Sequence, residues 1–452
     1  MTTQNTLALL RRFESRNITH FELDGSWPIV WERASGARVW DAEGRKYLDL
    51  TAAFGVAAAG HANPRVVRAG QLQMSRLLHA MGDVHPHALK AQLARELSRL
   101  TFERWARIRS REGKNVRFPA QAKTVFCNSG FEAVEVALKT ALLATGKPGV
   151  IAFTGSYHGT GYGTLSTTHR AHFHAPFQSQ LGKFGHFVDF PPATNRAIPG
   201  PSGAIEVARR SIEKIARQNE IGAILVEPAQ ARGGINIPKP EFLRILRRLC
   251  DQHGLLLIVD EIFTGFGRTG KWFACEHSGT AVPDLICLGK ALTGGFPLSA
   301  CVGRADVMDA AWPVSTGEAI HTSTFLGHPV GCAMALAQIA ELRRERLVER
   351  SARLGTRLLQ LLQSEISNLK SQIRSLPRGL GLMAGVELLS PDGAPATNEA
   401  LAVVKGMLHR GFIVLPEGAQ ANVISFTPPL TITEAQLRSA TRAFGNELRR
   451  FS

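Results

Sequence analysis

The sequence is poor in cysteine and has no long apolar run. It holds 6 cysteines in 452 residues, and none forms a C-x-x-C pair. Disulfide scaffolds and zinc sites both need closely spaced cysteines, so we predict reduced, mostly buried thiols and no metal centre. The richest apolar runs, at 52–60 and 254–259, fall far short of the ~20 residues that cross a membrane. We therefore expect a soluble protein without a membrane partner.

Acidic residues are few relative to basic ones. The chain has 37 Asp and Glu against 53 Lys and Arg, a formal net charge of +16, which favours anionic ligands. The densest basic stretch, 104–123, contains one acid, Glu112, and two aromatic residues, Trp105 and Phe118. Because no recognisable nucleic-acid-binding module accompanies it, we interpret this stretch as a solvated loop and expect no specific nucleic-acid partner. The first residues lack the apolar core of a signal peptide, which favours the cytoplasm.

The middle of the chain alternates short apolar runs with segments of helical period. Its length of 452 residues suggests two or three domains. The apolar runs predict strands at 124–127, 150–153, 223–226, 255–259, 285–288 and 299–302. Helical periodicity predicts helices at 132–144, 204–218 and 241–253. This alternation predicts an α/β fold with a mostly parallel sheet flanked by helices.

A different pattern begins near residue 329. One long helix is predicted over 332–369, then strand segments at 379–388, 412–415 and 423–426 and a last helix from Glu434. Near the N-terminus, 38–40 and 46–50 flank a turn and predict a hairpin that joins this region. We therefore divide the chain into an N-terminal segment of the small domain (1–60), a large domain (61–328) and a small α+β domain (329–452).

A turn between a strand and a helix is the first candidate for binding chemistry. The segment 125–132 ends its strand at Asn128 and Ser129 and enters a helix at Gly130. The free N–H groups at such a helix start bind phosphate. An ordinary helix cap, with Glu132 in the first turn, explains the same residues.

Two further strand ends carry ionisable groups. Asp260 and Glu261 follow a fully apolar strand, where ligands of open α/β sheets bind; a structural acid that caps the next turn is the alternative. Lys290 follows another apolar strand, where desolvation lowers the pKa of an amine and makes it a nucleophile. A lysine extending to the surface has the same spacing. Together, a phosphate-binding turn, a strand-end acid and a strand-end lysine are what pyridoxal phosphate needs.

The chain resembles the class III aminotransferases of the aspartate aminotransferase fold over nearly its whole length. The matching motifs occur in one order: 36–41, Gly60-His61, Asn128-Ser129-Gly130, Tyr157-His158-Gly159, Glu227-Pro228-Ala229-Gln230, Asp260-Glu261-Ile262, 265–270, Pro283-Asp284, 289–292, 321–329, 378–383 and Pro428-Pro429-Leu430. The resemblance implies a fold type I transferase, with pyridoxal 5′-phosphate (PLP) bound by the large domain.

The resemblance also implies a role for each matching residue. It implies Lys290 as the Schiff-base lysine that also moves the proton, and Asp260 as the partner of the pyridine nitrogen. It implies Tyr157 as the aromatic ring stacked on the cofactor. The other implied cofactor-binding residues are Ser129, Gly130, Phe131, His158, Glu227, Ile262 and Thr324. Thr324 resembles the threonine that a neighbouring subunit supplies to the phosphate, which implies a homodimer with shared sites.

Three departures from the family pattern bear on the substrate. Arg232 replaces the second glutamate of Glu-Pro-x-Gln-Gly-Glu, and Ser425 stands where many members have an arginine before Phe-x-Pro-Pro-Leu. We therefore hypothesise that Arg232 binds the carboxylate of the acceptor. Alternatively, it is a structural residue held by Glu227 or another acid. Phe263 replaces a glutamine and, with Phe54, predicts a rather apolar substrate side.

These features predict a cytoplasmic, homodimeric aminotransferase with ping-pong kinetics. We expect the donor to be a primary amine or ω-amino acid rather than acetylornithine, and the acceptor to be a 2-oxo acid, pyruvate or 2-oxoglutarate. The same fold also serves aminomutases, racemases and decarboxylases. A basic nucleic-acid-binding protein with a relict fold is a further alternative.

Overall fold

The computed structural model describes residues 1–22, 25–113, 119–191, 201–218, 220–279, 281–367 and 372–451. Its α-helices are α1 (Thr3–Phe13), α2 (Ala52–Gly55), α3 (Pro64–Arg76), α4 (Ala88–Leu100), α5 (Phe102–Arg111), α6 (Gly130–Thr145), α7 (Tyr162–Leu165), α8 (Ala171–His174), α9 (Pro201–Gln218), α10 (Glu241–His253), α11 (Ala305–Ala311), α12 (Pro329–Arg344), α13 (Leu347–Ser367), α14 (Thr397–His409) and α15 (Glu434–Leu448). Across these ranges, every helix is too short or too polar to cross a membrane.

The strands are β1 (Trp31–Ser35), β2 (Arg38–Asp41), β3 (Lys46–Asp49), β4 (Ala122–Cys127), β5 (Gly149–Phe153), β6 (Gly185–Val188), β7 (Ile221–Val226), β8 (Leu256–Asp260), β9 (Leu285–Leu288), β10 (Ser299–Arg304), β11 (Arg374–Leu380), β12 (Met383–Leu389), β13 (Phe412–Ile413), β14 (Leu415–Glu417) and β15 (Val423–Phe426). Short 3₁₀ turns lie at Ala175–Gln180, Ala274–Ser278, Lys290–Leu292 and Arg449–Phe451.

A seven-stranded sheet forms the centre of the molecule, in the order β4-β10-β9-β8-β7-β5-β6. Neighbouring strands from β6 to β9 pair in parallel, and β10 runs antiparallel to both β9 and β4. The six strands predicted for this region are all present, within two residues at either end. Val188 is the one buried residue of strand β6. This strand therefore lacks the continuous apolar run of its neighbours, and the sequence analysis did not predict it.

Helices cover both faces of this sheet. Ile258 of β8 packs in the cluster that contains Ala137 of α6. Its neighbours Leu257 and Val259 pack on the other face with Leu246 of α10. Burial on both faces explains why these strands read as continuous apolar runs.

The parallel strands bring three candidate residues to one edge of the sheet. Glu227 follows β7, Asp260 ends β8, and Lys290 lies two residues beyond β9. Because β7, β8 and β9 are neighbours and run in the same direction, all three residues lie at the carboxyl-end edge, where α/β folds bind ligands.

Two smaller sheets have the orders β1-β2-β3-β13 and β11-β12-β15-β14. The predicted N-terminal hairpin is present as β2 and β3, and β3 also pairs in parallel with β13. This pairing supports our proposal that 1–60 and 329–452 form one small domain beside a large domain at 61–328. The segment 379–388 spans the turn of the β11–β12 hairpin, and 412–415 spans parts of β13 and β14.

The prediction of one helix over 332–369 is wrong. Helix α12 ends at Arg344 and α13 begins at Leu347, and Arg346 between them has a φ of 51°. This turn lets Leu347 and Val348 become buried. Since neither glycine nor proline marks the turn, the periodicity appears unbroken in sequence. The predicted end of the helix, residue 369, lies outside the described residues.

The loop interpretation of the basic stretch is also wrong for its first part. Residues 102–111 form α5, and Phe102, Trp105 and Ala106 are buried at helical spacing. Arg104 pairs with Glu276, and the indole Nε1 of Trp105 donates to the same carboxylate at 3.1 Å. Tertiary packing of this apolar stripe therefore outweighs the local charge repulsion. Residues 114–118 of the stretch lie outside the described residues.

Candidate active site

A cavity of about 240 Å³ opens at the carboxyl ends of the central strands. Its wall is formed by Gly130, Phe131, Tyr157, His158, Gly159, Thr160, Glu227, Ala231, Arg232, Asp260, Ile262, Phe263 and Lys290. The structure thus brings most of the predicted site residues to one place. Ser129 precedes the first helical residue of α6, next to this wall. Phe54 and Thr324 are not part of the wall.

The N-terminus of α6 leaves several hydrogen-bond donors available. The Glu132 carboxylate accepts from the N–H groups of Asn128 at 2.7 Å and Ser129 at 2.8 Å, which shapes the turn before the helix. The buried hydroxyl of Ser129 donates to no group among the described residues. A Cβ on Gly130 would lie 3.0 Å from the side chain of Ile262, so the glycine allows close packing here. The first-turn N–H groups and this hydroxyl form a cradle suited to a phosphate.

Asp260 is held in place on both of its oxygens. Oδ1 accepts from the backbone N–H of Ile262 at 3.0 Å, and Oδ2 lies 2.8 Å from Nδ1 of His158. Since both side chains are buried, an ionised Asp260 makes the Nδ1–H tautomer of His158 the donor. His158 therefore supports Asp260 as well as forming part of the wall.

Lys290 occupies a strained and dehydrated position. Its backbone has a φ of 39°, which L-residues adopt at a cost that functional sites often carry. Its Nζ lies 5.0 Å from the centroid of the Phe263 ring. Desolvation lowers the pKa of the amine, although Asp260 and Glu227 act in the opposite direction. A larger fraction of neutral amine makes Lys290 a better nucleophile and base.

The two adjacent acids of Asp260-Glu261 have different environments. Glu261 does not line the cavity; it accepts from the hydroxyl of Thr264 and from the N–H groups of Ala274 and Cys275, at 2.9 and 2.7 Å for the latter two. Glu261 is thus the structural acid of the pair. Glu227 does line the cavity, and burial raises its pKa to about 7.

Arg232 lies in the wall with an acid that the sequence did not single out. Its Nε is 3.4 Å from Oε2 of Glu417, and its guanidinium carbon is 5.3 Å from the centroid of the Tyr157 ring. Glu417 is separated from Arg232 by most of the C-terminal half, and no motif marks it. This ion pair agrees with the alternative interpretation of Arg232, in which an acid other than Glu227 holds it as a structural residue.

Two predicted residues lie apart from the cavity wall. Phe54 is 53% exposed, although its neighbour Gly55 lies against the ring of Phe263. Thr324 is exposed. Its segment is anchored by a 2.6 Å hydrogen bond that the hydroxyl of Thr322 donates to Asp83. Thr324 therefore does not line the cavity of its own chain.

These residues fit PLP. The hydroxyl of Ser129, whose proton is free to be donated at a helix N-terminus, suits the phosphate, and the fixed carboxylate of Asp260 suits a protonated ring nitrogen. The desolvated amine of Lys290 suits the aldehyde. Fold and site together define a fold type I, PLP-dependent enzyme.

Comparison with known proteins identifies the family. The family model "Aminotransferase class-III" matches residues 22–448, and the chain belongs to this family. It is an aminotransferase with PLP as its cofactor. This confirms the family and reaction predicted from the sequence.

The relatives act on different amines. The chain is 38% identical to 5-aminovalerate aminotransferase DavT of Pseudomonas aeruginosa over 91% of each chain. It is 36% identical to an acetylornithine aminotransferase of Methanopyrus kandleri, over 95% of this chain and 97% of the relative. An ornithine aminotransferase from Toxoplasma gondii, whose structure has partial PLP occupancy, is 28% identical with a TM-score of 0.81 over 100% of this chain and 95% of that one.

Proposed function

We propose that this enzyme transfers an amino group from a primary amine or ω-amino acid to a 2-oxo acid, pyruvate or 2-oxoglutarate, by a ping-pong mechanism. The observation that carries the proposal is Arg232, a guanidinium group in the cavity wall that suits an acceptor carboxylate. The ring of Phe263 beside Lys290 makes the donor side apolar. The relatives' named substrates, 5-aminovalerate and acetylornithine, both carry a terminal primary amine. Of these two, the apolar Phe263 favours 5-aminovalerate, which has no acetylamino group.

The proposed catalytic residues are Lys290, Asp260 and Tyr157. PLP supplies an electron sink for the pair left when the donor carbon loses its proton. Lys290 takes that proton on Nζ and returns it, aided by its lowered pKa. Asp260, fixed by His158 and Ile262, keeps a negative charge beside the ring nitrogen. Tyr157, in the cavity wall, would cover one face of the ring.

The remaining proposed contacts complete the cofactor site. Ile262 would pack against the other ring face, and Glu227 and His158 complete the polar wall. Ser129, Gly130 and Phe131 hold the phosphate at the start of α6. We propose that the partner subunit's Thr324 also reaches this phosphate, since Thr324 does not line the cavity of its own chain.

A homodimer in the cytoplasm is the proposed working form. Exposed apolar side chains near Thr324, including Ile320 and Phe325, suit a subunit interface, and all six cysteines are free and buried, which suits a reducing compartment. Mixing Lys290→Ala with Thr324→Val subunits tests shared sites. If subunits exchange at random, half the dimers carry one intact site and about a quarter of the activity returns. No recovery after verified exchange would contradict sharing.

The role of Arg232 is tested by steady-state kinetics of the holoenzyme with 5-aminovalerate and pyruvate or 2-oxoglutarate. A hydrogen-bonded charge contributes about 1.5–3 kcal/mol, so Arg232→Ala should raise the acceptor KM by about 10- to 150-fold. Arg232→Lys retains charge without the planar fork and should give an intermediate value. An unchanged acceptor KM in Arg232→Ala would contradict this role, and the absence of activity with any terminal amine would contradict the proposed donor class.

A further inference from the structure

Glu417 forms an ion pair with Arg232, the residue that we propose binds the acceptor carboxylate. It ends β14, and its side chain is 8% exposed, with Oε2 3.4 Å from Arg232 Nε. The backbones of the two segments are also joined, because the N–H of Gly418 donates to the carbonyl of Arg232 at 3.2 Å. The small domain therefore places a carboxylate against the guanidinium group that we propose for the acceptor.

The charges around Glu417 come from three separate elements. Arg232 follows β7, Arg170 precedes α8, and Lys290 follows β9, and all three stabilise the Glu417 carboxylate. Arg170 and Arg232 also repel one another. This cluster places two arginines and the proposed catalytic lysine around one buried acid, beside a cavity that must admit both an amine and a 2-oxo acid.

We propose that Glu417 competes internally for Arg232: the carboxylate of the 2-oxo acid displaces the Glu417 side chain, and the displaced carboxylate takes up a proton. The inference rests on the proposed role of Arg232 and adds Glu417 as the residue that sets when Arg232 is available. An amine donor without a carboxylate at this position leaves the ion pair intact and presents no charge to it. One cavity can thus receive both substrates in turn.

Burial explains the uptake of a proton. A buried carboxylate that loses its nearest cation is strongly destabilised unless it is neutralised. Desolvation already raises the pKa of Glu417 to about 7, against the opposing effect of Arg232, Arg170 and Lys290. Loss of Arg232 to the acceptor removes the largest of these opposing charges, so the pKa of Glu417 rises further in the complex.

The pH dependence of binding follows from this change. Well below pH 7, Glu417 is protonated before and after binding, and acceptor affinity does not depend on its titration. Between its free pKa of about 7 and its higher value in the complex, each acceptor carboxylate that binds takes up one proton. Affinity should therefore fall by up to about tenfold per pH unit as pH rises through this window.

Calorimetry measures this proton directly. The holoenzyme is titrated at pH 8 with glutarate, a dicarboxylate that has no oxo group to react, in buffers of different ionisation enthalpy. We expect the wild type to take up close to one proton per site. Glu417→Gln, which has nearly the same shape, should take up none and bind glutarate more tightly at pH 8. Glu387→Gln is the matched control, because Glu387 pairs with Arg378 on the same sheet and should behave as the wild type.

Three results would overturn the inference. They are binding of glutarate by the wild type without proton uptake, uptake that persists in Glu417→Gln, and absence of glutarate binding by both proteins. Because Glu227 also lines the cavity and burial raises its pKa to about 7, the assignment to Glu417 depends on the variants; Glu417→Ala, which should also take up no proton, serves if Glu417→Gln is unstable. Because glutarate does not react, this outcome is independent of the donor assays, whose failure would instead contradict the proposed function.

Discussion

Replacing His158 tests how the carboxylate of Asp260 is held. Nδ1 of His158 lies 2.8 Å from Asp260 Oδ2, and the two side chains are 0% and 5% exposed, so water cannot readily replace the lost donor. His158→Phe keeps a ring but removes the hydrogen bond. Such a bond to a charged acceptor contributes about 1.5–3 kcal/mol. If the ionised Asp260 carboxylate is what holds the ring nitrogen, PLP affinity should fall about 10- to 150-fold.

The assay is titration of the apoenzyme with PLP, followed by fluorescence quenching. His158→Asn is the matched variant, because an amide nitrogen can take the place of Nδ1 as the donor. Its affinity should lie between those of the wild type and His158→Phe. Affinity of His158→Phe within twofold of the wild type, or no recovery in His158→Asn with both variants folded, would refute this positioning role.

Two further substitutions test, in turn, a proposed catalytic residue and a proposed structural residue. Lys290→Ala should lower kcat by at least about 100-fold and prevent borohydride from fixing PLP to the protein; covalent fixation in this variant would refute the assignment. Glu261→Gln should lower the free energy of unfolding by about 1–3 kcal/mol, because a single amide oxygen cannot accept from both Ala274 and Cys275 N–H groups. Urea denaturation measures this loss, and a change below about 0.5 kcal/mol would contradict the structural role of Glu261.

The central sheet was predictable because its strands are buried on both faces. Their apolar runs, and the residues that follow them, locate Glu227, Asp260 and Lys290 at one edge by the geometry of parallel strands alone. The sequence could not show which acid of Asp260-Glu261 faces the cavity. Backbone N–H donors 13 and 14 residues away bind the Glu261 carboxylate and decide that, and side-chain direction after a strand end depends on such contacts.

The parts that were missed depend on distant packing. The break near Arg346 has no glycine or proline, and α5 forms in a strongly basic segment because its apolar side is buried. Glu417 was missed for a related reason. Its importance comes from the approach of β14 to the segment after β7, and neither segment carries a local signal of that contact.

The most direct measurement is the visible spectrum of the purified holoenzyme during one complete cycle. We expect the absorption band of lysine-bound PLP to disappear on addition of 5-aminovalerate and to return on addition of pyruvate or 2-oxoglutarate, with alanine or glutamate formed in equal amount. A band that ignores 5-aminovalerate and other terminal amines would contradict the proposed donor class. A protein that shows no such band after incubation with PLP would contradict the assignment of Lys290 and Asp260.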